Sequence, residues 1–97
     1  MYLKIHRAPD GTCVTAICDR ELLNTKVSDG NLEVCISESF YGNRIVSEDE
    51  VRKALESAGN VNLMGERTVS IAIDMGMIGR SGCIMIGTVP HAQIYSI

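Results

Sequence analysis

Two histidines, His6 and His91, and four cysteines, Cys13, Cys18, Cys35 and Cys83, are the side chains best suited to metal ligation or nucleophilic chemistry. Zinc sites announce themselves through close ligand pairs, and no Cys-x-x-Cys or comparable pair occurs, so neither a metal nor a cofactor is expected. If Thr12 to Cys18 forms one strand, Cys13 and Cys18 point to opposite faces about 16 Å apart. A disulfide tolerates roughly 7 Å between Cα atoms, which excludes that pair. The cysteines are therefore read as reduced, small core hydrophobes. A cysteine nucleophile needs a histidine within hydrogen-bond reach, which spacing along the chain does not decide. No Ser-His-Asp motif or pair of catalytic carboxylates is visible.

Gly76, Gly79 and Gly82 recur at every third position. A dinucleotide-binding loop follows a strand and opens a helix, whereas here a helical pattern precedes and strand formers follow, so these read as turn glycines. Ile78-Gly79-Arg80-Ser81-Gly82 also resembles the Gly-x-x-Gly loop of a KH domain, but Cys83-Ile84-Met85-Ile86 does not read as the helix such a loop requires.

One polar cluster stands out. In Gly87-Thr88-Val89-Pro90-His91-Ala92-Gln93 a proline fixes backbone direction beside two side chains with donor and acceptor capacity. His91 and Gln93 are thus presented with little entropy to lose on binding. Asn62-Leu63-Met64-Gly65-Glu66-Arg67 is similarly dense in polar groups around a glycine. The candidate binding residues are Pro90, His91 and Gln93, where they meet Asn62, Glu66 and Arg67, with Tyr41 as a weaker member. The competing reading is a structural hydrogen-bond network, since buried polar groups must find partners.

The elements that must hold this cluster follow from periodicity. Met1 to Arg7 alternates, with Leu3 and Ile5 on one face, and Ala8-Pro9-Asp10-Gly11 has turn chemistry, giving a hairpin with Thr12 to Cys18. Asp19 can cap a short helical turn through Leu22 and Leu23, and Ser28-Asp29-Gly30 ends that connection. Asn31 to Ser37 reads as a strand with Leu32, Val34 and Ile36 inward. Residues 39–43 read as a loop and Arg44-Ile45-Val46 as a brief extended piece.

Ser47 with Glu50 forms a capping box, and Val51, Ala54, Leu55 and Ala58 make one apolar stripe ended by Gly59-Asn60. Residues 62–76 alternate like a strand yet share a helical face; a helix capped by Asn62 and ended by Gly76 is preferred. Cys83 to Val89, apolar on both faces, reads as a central strand that Pro90 interrupts before a last strand from Ala92 to Ile97. The order implies one α+β domain over residues 1–97, two-layered, with a mainly antiparallel sheet of about five strands and two helices on one face.

The 97 residues are 45% hydrophobic and 22% charged, the composition of an ordinary globular domain. A formal net charge of -3 with scattered basic residues argues against nonspecific nucleic-acid binding, which depends on many phosphate contacts. No stretch approaches the roughly 20 apolar residues of a membrane helix, and Lys4, His6 and Arg7 interrupt any signal-peptide core. A cytoplasmic protein without membrane contact is expected.

Lys4-Ile5-His6-Arg7, Asp10-Gly11, Phe40-Tyr41-Gly42, Asn62-Leu63-Met64-Gly65-Glu66-Arg67 and Val89-Pro90-His91-Ala92-Gln93 together resemble a family of small archaeal proteins, the domain-of-unknown-function family numbered 424. The resemblance spans almost the whole chain and implies an archaeal cytoplasm, with no mechanism attached. Two functions stay open. One is a non-enzymatic binding module contacting a protein or an RNA-protein assembly such as translation machinery. The other is a small enzyme or ligand-binding protein using His91 with a nearby cysteine or acid.

Overall fold

In the computed structural model, which describes residues 1–95, the turn at residues 8–11 folds β1 (Tyr2–Arg7) antiparallel onto β2 (Cys13–Cys18). Asp10 Oδ1 accepts from the Thr12 amide at 3.0 Å and its hydroxyl at 2.7 Å, holding the turn as its side-chain chemistry suggests. A 3-10 turn over Arg20–Leu22 follows. Then β3 (Thr25–Asp29) pairs antiparallel with β4 (Leu32–Ile36) in a separate two-stranded ribbon. Periodicity predicts β4 but not β3, where Thr25 and Val27 alternate over too few residues. Leu32 also corrects its expected inward place, being 50% exposed, while Ile36 is buried.

The loop expected over residues 39–43 instead begins as a single helical turn, α1 (Glu38–Tyr41). The extended piece behind it is real: Ile45 bridges Tyr2, and the Val46 amide donates to the Met1 carbonyl at 2.8 Å. At α2 (Glu48–Ser57) the capping box is complete, with Ser47 Oγ accepting from the Glu50 amide at 3.2 Å and Glu50 Oε1 accepting from the Ser47 amide at 3.4 Å. Val51 and Leu55 from its apolar stripe are buried.

The largest correction concerns residues 62–65. They are not the start of a helix: β5 (Asn60–Met64) is a strand, and α3 (Glu66–Asp74) begins after Gly65. Asn62 therefore caps nothing. Gly76 does end α3: the Gly76 amide donates to the Ile73 carbonyl and the Met77 amide to the Ala72 carbonyl, each at 3.0 Å, a Schellman pair. Cys83 to Val89 is likewise not one central strand. A 3-10 turn over Arg80–Gly82 leads into β6 (Ile84–Ile86), a two-residue turn at Gly87 and Thr88 reverses the chain, and β7 (Val89–Tyr95) runs back along it with Pro90 inside it. The expected last strand is described to Tyr95; Ser96 and Ile97 lie outside the described residues.

The main sheet has the order β1-β2-β5-β7-β6, antiparallel except for the parallel pair β2 and β5. The fold is the expected α+β, with α2 and α3 on one face. Ile17, Leu63 and Ala92 form a cross-strand row there, packed with Val51, Leu55, Val69 and Ala72. Burial of such side chains contributes about 1.5 to 3 kcal/mol each, which lets Leu55 and Val69 hold the helices down. The ribbon and α1 add a partial third layer on the opposite face. There Ile36 and Tyr41 cover Ala16, Cys18, Met64 and Ile86.

Cysteine placement departs from the expectation of four core residues. All four thiols are free, but only Cys18 is buried, Cys13 and Cys83 are half-buried, and Cys35 is exposed on the ribbon.

Two residues explain where β5 stops and α3 starts. The Gly65 amide donates to the Pro90 carbonyl at 2.9 Å, continuing the β5 and β7 ladder by one step. Pro90 has no N–H to return, so the Gly65 carbonyl is released and accepts from the Val69 amide at 3.0 Å, the first bond of the helix. Asp19 then caps α3 from the end of β2. Its Oδ2 accepts from the Arg67 amide at 3.0 Å, and its Oδ1 from the Thr68 amide at 2.8 Å and hydroxyl at 2.7 Å. This corrects the expectation that its side chain caps the turn through Leu22; only the Asp19 backbone carbonyl serves that turn, accepting from the Leu22 amide.

Candidate binding face

Alternation along β7 sends Ala92 into the helix-side core and His91, Gln93 and Tyr95 to the other face of the sheet. The register sets Met64 beside His91, Asn62 beside Gln93 and Asn60 beside Tyr95. A strand rich in asparagine is unusual, since asparagine is depleted from strands. Here both amides lie on the sheet face that the ribbon only partly covers.

The polarity of this face is fixed by its neighbours. The Tyr41 hydroxyl donates to Asn62 Oδ1 at 3.1 Å, which leaves the Asn62 NH2 as a donor. The Tyr95 hydroxyl donates to Gln93 Oε1 at 3.0 Å, leaving a second NH2. His91 Nδ1 lies 2.8 Å from the Leu63 carbonyl; a carbonyl only accepts, so Nδ1 carries a proton, and in the neutral imidazole Nε2 offers a lone pair. The face thus offers two amide donors and one imidazole acceptor.

Aromatic rings frame it. Phe40 stacks on His6 with ring centroids 4.9 Å apart and 22° between planes, while His6 Nε2 donates to the Phe40 carbonyl at 2.7 Å. Tyr41 meets Phe40 edge-on, with centroids at 4.9 Å. Burial pushes the Tyr41 phenol well above its ordinary range, helped by neighbouring Cys18. A shallow cavity of about 250 Å³ opens between Phe40, Asn60, Asn62, Gln93 and Tyr95. A neighbouring one of about 310 Å³ is bounded by Gly82, Ile84, His91, Gln93 and Tyr95. Gln93 and Tyr95 join the two, and among the described residues no lysine, arginine, aspartate or glutamate lines either.

Residues 6–97 match the family model described as "Protein of unknown function (DUF424)". The chain belongs to this family. The crystal structure of an uncharacterized conserved protein from Methanopyrus kandleri is similar over 99% of this chain and 90% of that one, with a TM-score of 0.80 and 30% sequence identity. No curated protein matches the chain.

Of the residues singled out by sequence, the DUF424 chain brings Tyr41, Asn62, His91 and Gln93 to this one face. Pro90 is buried behind it, its carbonyl engaged by Gly65. Glu66 and Arg67 are not part of it. They lie on the helix side, where Arg80 holds the Glu66 carboxylate at 2.9 Å and below the usual carboxylate range, in a groove shared with Glu48, Arg52, Ser70 and Asp74. One turn of α3 thus carries these charges away from His91.

Asn60, Tyr95, Phe40 and Ile84 complete the DUF424 face, and sequence reasoning did not place them with it. The parity of Asn60 with Asn62, and of Tyr95 with Gln93, is the signal, masked by the helical face that residues 62–76 also share. His91 has no hydrogen bond to a cysteine or carboxylate among the described residues. Cys18 shares its face but lies two strands away, about 10 Å at the usual strand spacing. Burial, with Asp19 adding to it, pushes that thiol up to about 12. Among the described residues no three histidine, cysteine or acidic side chains cluster as metal ligands, and no helix is long and apolar enough to cross a membrane.

Proposed function

We propose that this DUF424 chain is a non-enzymatic binding module that holds an uncharged segment of a protein partner against the sheet face built by Asn62, His91, Gln93 and Tyr95. The observation that carries this reading is the fixed polarity of the face: two amide donors beside an imidazole acceptor complement the carbonyl and N–H of a peptide unit. Tyr95, 69% exposed, and Ile84, 57% exposed, supply apolar contact at the rim. Nucleic-acid binding draws much of its affinity from cationic contacts to phosphate, and among the described residues no lysine or arginine lines the two cavities, so a protein surface is favoured over exposed RNA. The partner can itself belong to an RNA-protein assembly such as translation machinery. Four free cysteines support a reducing cytoplasm, and the family resemblance an archaeal one.

Affinity capture from native cells with and without nuclease tests this reading. A protein partner retained after nuclease and lost with His91→Ala and Gln93→Ala is the expected result. Capture that both variants leave intact would exclude this face, and capture that nuclease abolishes would point to RNA.

A further inference from the structure

The two edges of the main sheet are treated differently. The β1 edge is blunted: Ile45 bridges Tyr2, the Val46 amide is spent on the Met1 carbonyl, and Lys4 and Arg7 place charge along the strand. Along Ile84–Ile86 the β6 edge carries none of these protections; only past the end of the strand does the ribbon close in, where Asp29 Oδ2 accepts from the Gly87 amide at 3.3 Å. Its three residues are Ile84, Met85 and Ile86, with Ile84 57% and Met85 52% exposed. An uncharged, apolar edge strand is a template for another strand.

The register shows which groups are open. The Gly65 amide bonds the Pro90 carbonyl, so Pro90, Ala92 and Ile94 turn their backbone groups toward β5, and Val89 and His91 turn theirs toward β6. Ile84 and Ile86 answer Val89 and His91. The N–H and C=O of Met85 consequently point outward, away from the sheet, and have no backbone partner among the described residues.

We infer that a second copy of this chain covers that edge, β6 pairing antiparallel with β6 of the partner about a two-fold axis through Met85. The strand is a palindrome of side-chain types, Ile-Met-Ile, so the pairing is self-complementary as a two-fold interface requires. The two Met85 residues exchange both hydrogen bonds. Each Ile84 lies opposite an Ile86 of the other copy, where the apolar row continues under the ribbon. No charge on β6 opposes its own copy across the axis. A ten-stranded sheet results, with both binding faces on the same side. Ile84 belongs both to this seam and to the rim of the proposed binding face, whereas Met85 lies on the opposite face of the sheet with Pro90, so substitutions at Met85 read the seam alone.

Sedimentation at about 100 µM, well above a micromolar dissociation constant, should give a dimer. Met85→Lys, which sets two ammonium groups across the axis, should give a monomer with unchanged circular dichroism. In a Cys35→Ser background, Met85→Cys should form an intermolecular disulfide, because directly opposed hydrogen-bonded residues sit about 5.5 Å apart, within disulfide reach. A monomer at that concentration overturns the inference and leaves the edge to a foreign strand. A dimer that Met85→Lys leaves intact, with no cross-link at position 85, overturns it in favour of another interface.

Discussion

The carboxylate of Asp19 occupies the volume that a side chain at Gly65 would fill, and a Cβ at position 65 would overlap it. Gly65 also sits at φ +112°, where a side chain is strained. Only this pairing lets a carboxylate at the end of one strand reach the first amides of a helix that follows another.

Asp19→Ala should therefore destabilise the protein by about 2 to 4 kcal/mol, beyond an ordinary cap loss, because the Thr68 hydroxyl is fully buried and loses its acceptor. Gly65→Ala should cost about 3 kcal/mol alone and less in the Asp19→Ala background, where the overlap is relieved. Urea denaturation of both single variants and the double variant measures that coupling. Strict additivity would mean that the two residues do not share space.

At α2, Ser47→Ala should cost about 1 kcal/mol and Leu55→Ala about 2 to 5 kcal/mol, since the first removes a surface cap and the second empties a packed core site. Equal, negligible shifts in the same denaturation experiment would contradict the burial of Leu55.

Alkaline pH should weaken the fold through two neighbours. Cys18 and Tyr41 both have folded-state pKa values raised by burial, Cys18 to about 12. Their contribution is fully present below the unfolded values, about 8.5 for Cys and 10 for Tyr, and is lost as pH rises through the folded ones. The melting temperature should fall between about pH 9 and 12, and Cys18→Ala combined with Tyr41→Phe should flatten that slope. An unchanged slope would count against it.

Thiol labelling should order the cysteines by access. Cys35 should react first and Cys18 last in the native state, with all four titrating after denaturation without reductant. Rapid native labelling of Cys18 would contradict its burial.

The binding face should be separable from the fold. Gln93 is exposed, and the Leu63 carbonyl already faces Ala92 in the ladder, so Gln93→Ala and His91→Ala should each change stability by less than about 1 kcal/mol while abolishing partner capture. Losses of several kcal/mol would mark both residues as structural.

Much of this architecture was legible where one residue type answers one local demand. Asp10 in its turn, Ser47 with Glu50, and Gly76 after α3 each satisfy nearby backbone groups, and each does so as its spacing predicts. What stayed hidden depends on distant partners. Asn62 looked like a helix cap because nothing local shows that Tyr41 will meet it across a sheet. Asp19 looked like the cap of its own turn because the helix it serves is assembled only when β2 and β5 lie side by side. Ile84 and Met85, apolar on both faces, looked like the middle of a sheet because pattern alone cannot distinguish a covered strand from an unprotected edge.

The cap on α3 also has a consequence for biosynthesis. Because its acceptor belongs to a segment made much earlier, residues 66–74 cannot be capped by their own surroundings as they leave the ribosome; the parallel pairing of Val14–Cys18 with Asn60–Met64 must close first. The hairpin and the ribbon can form from local contacts while the chain is still short. Helix α3 and the strands after it then consolidate together, so the chain should commit to its native state only after β5 has emerged.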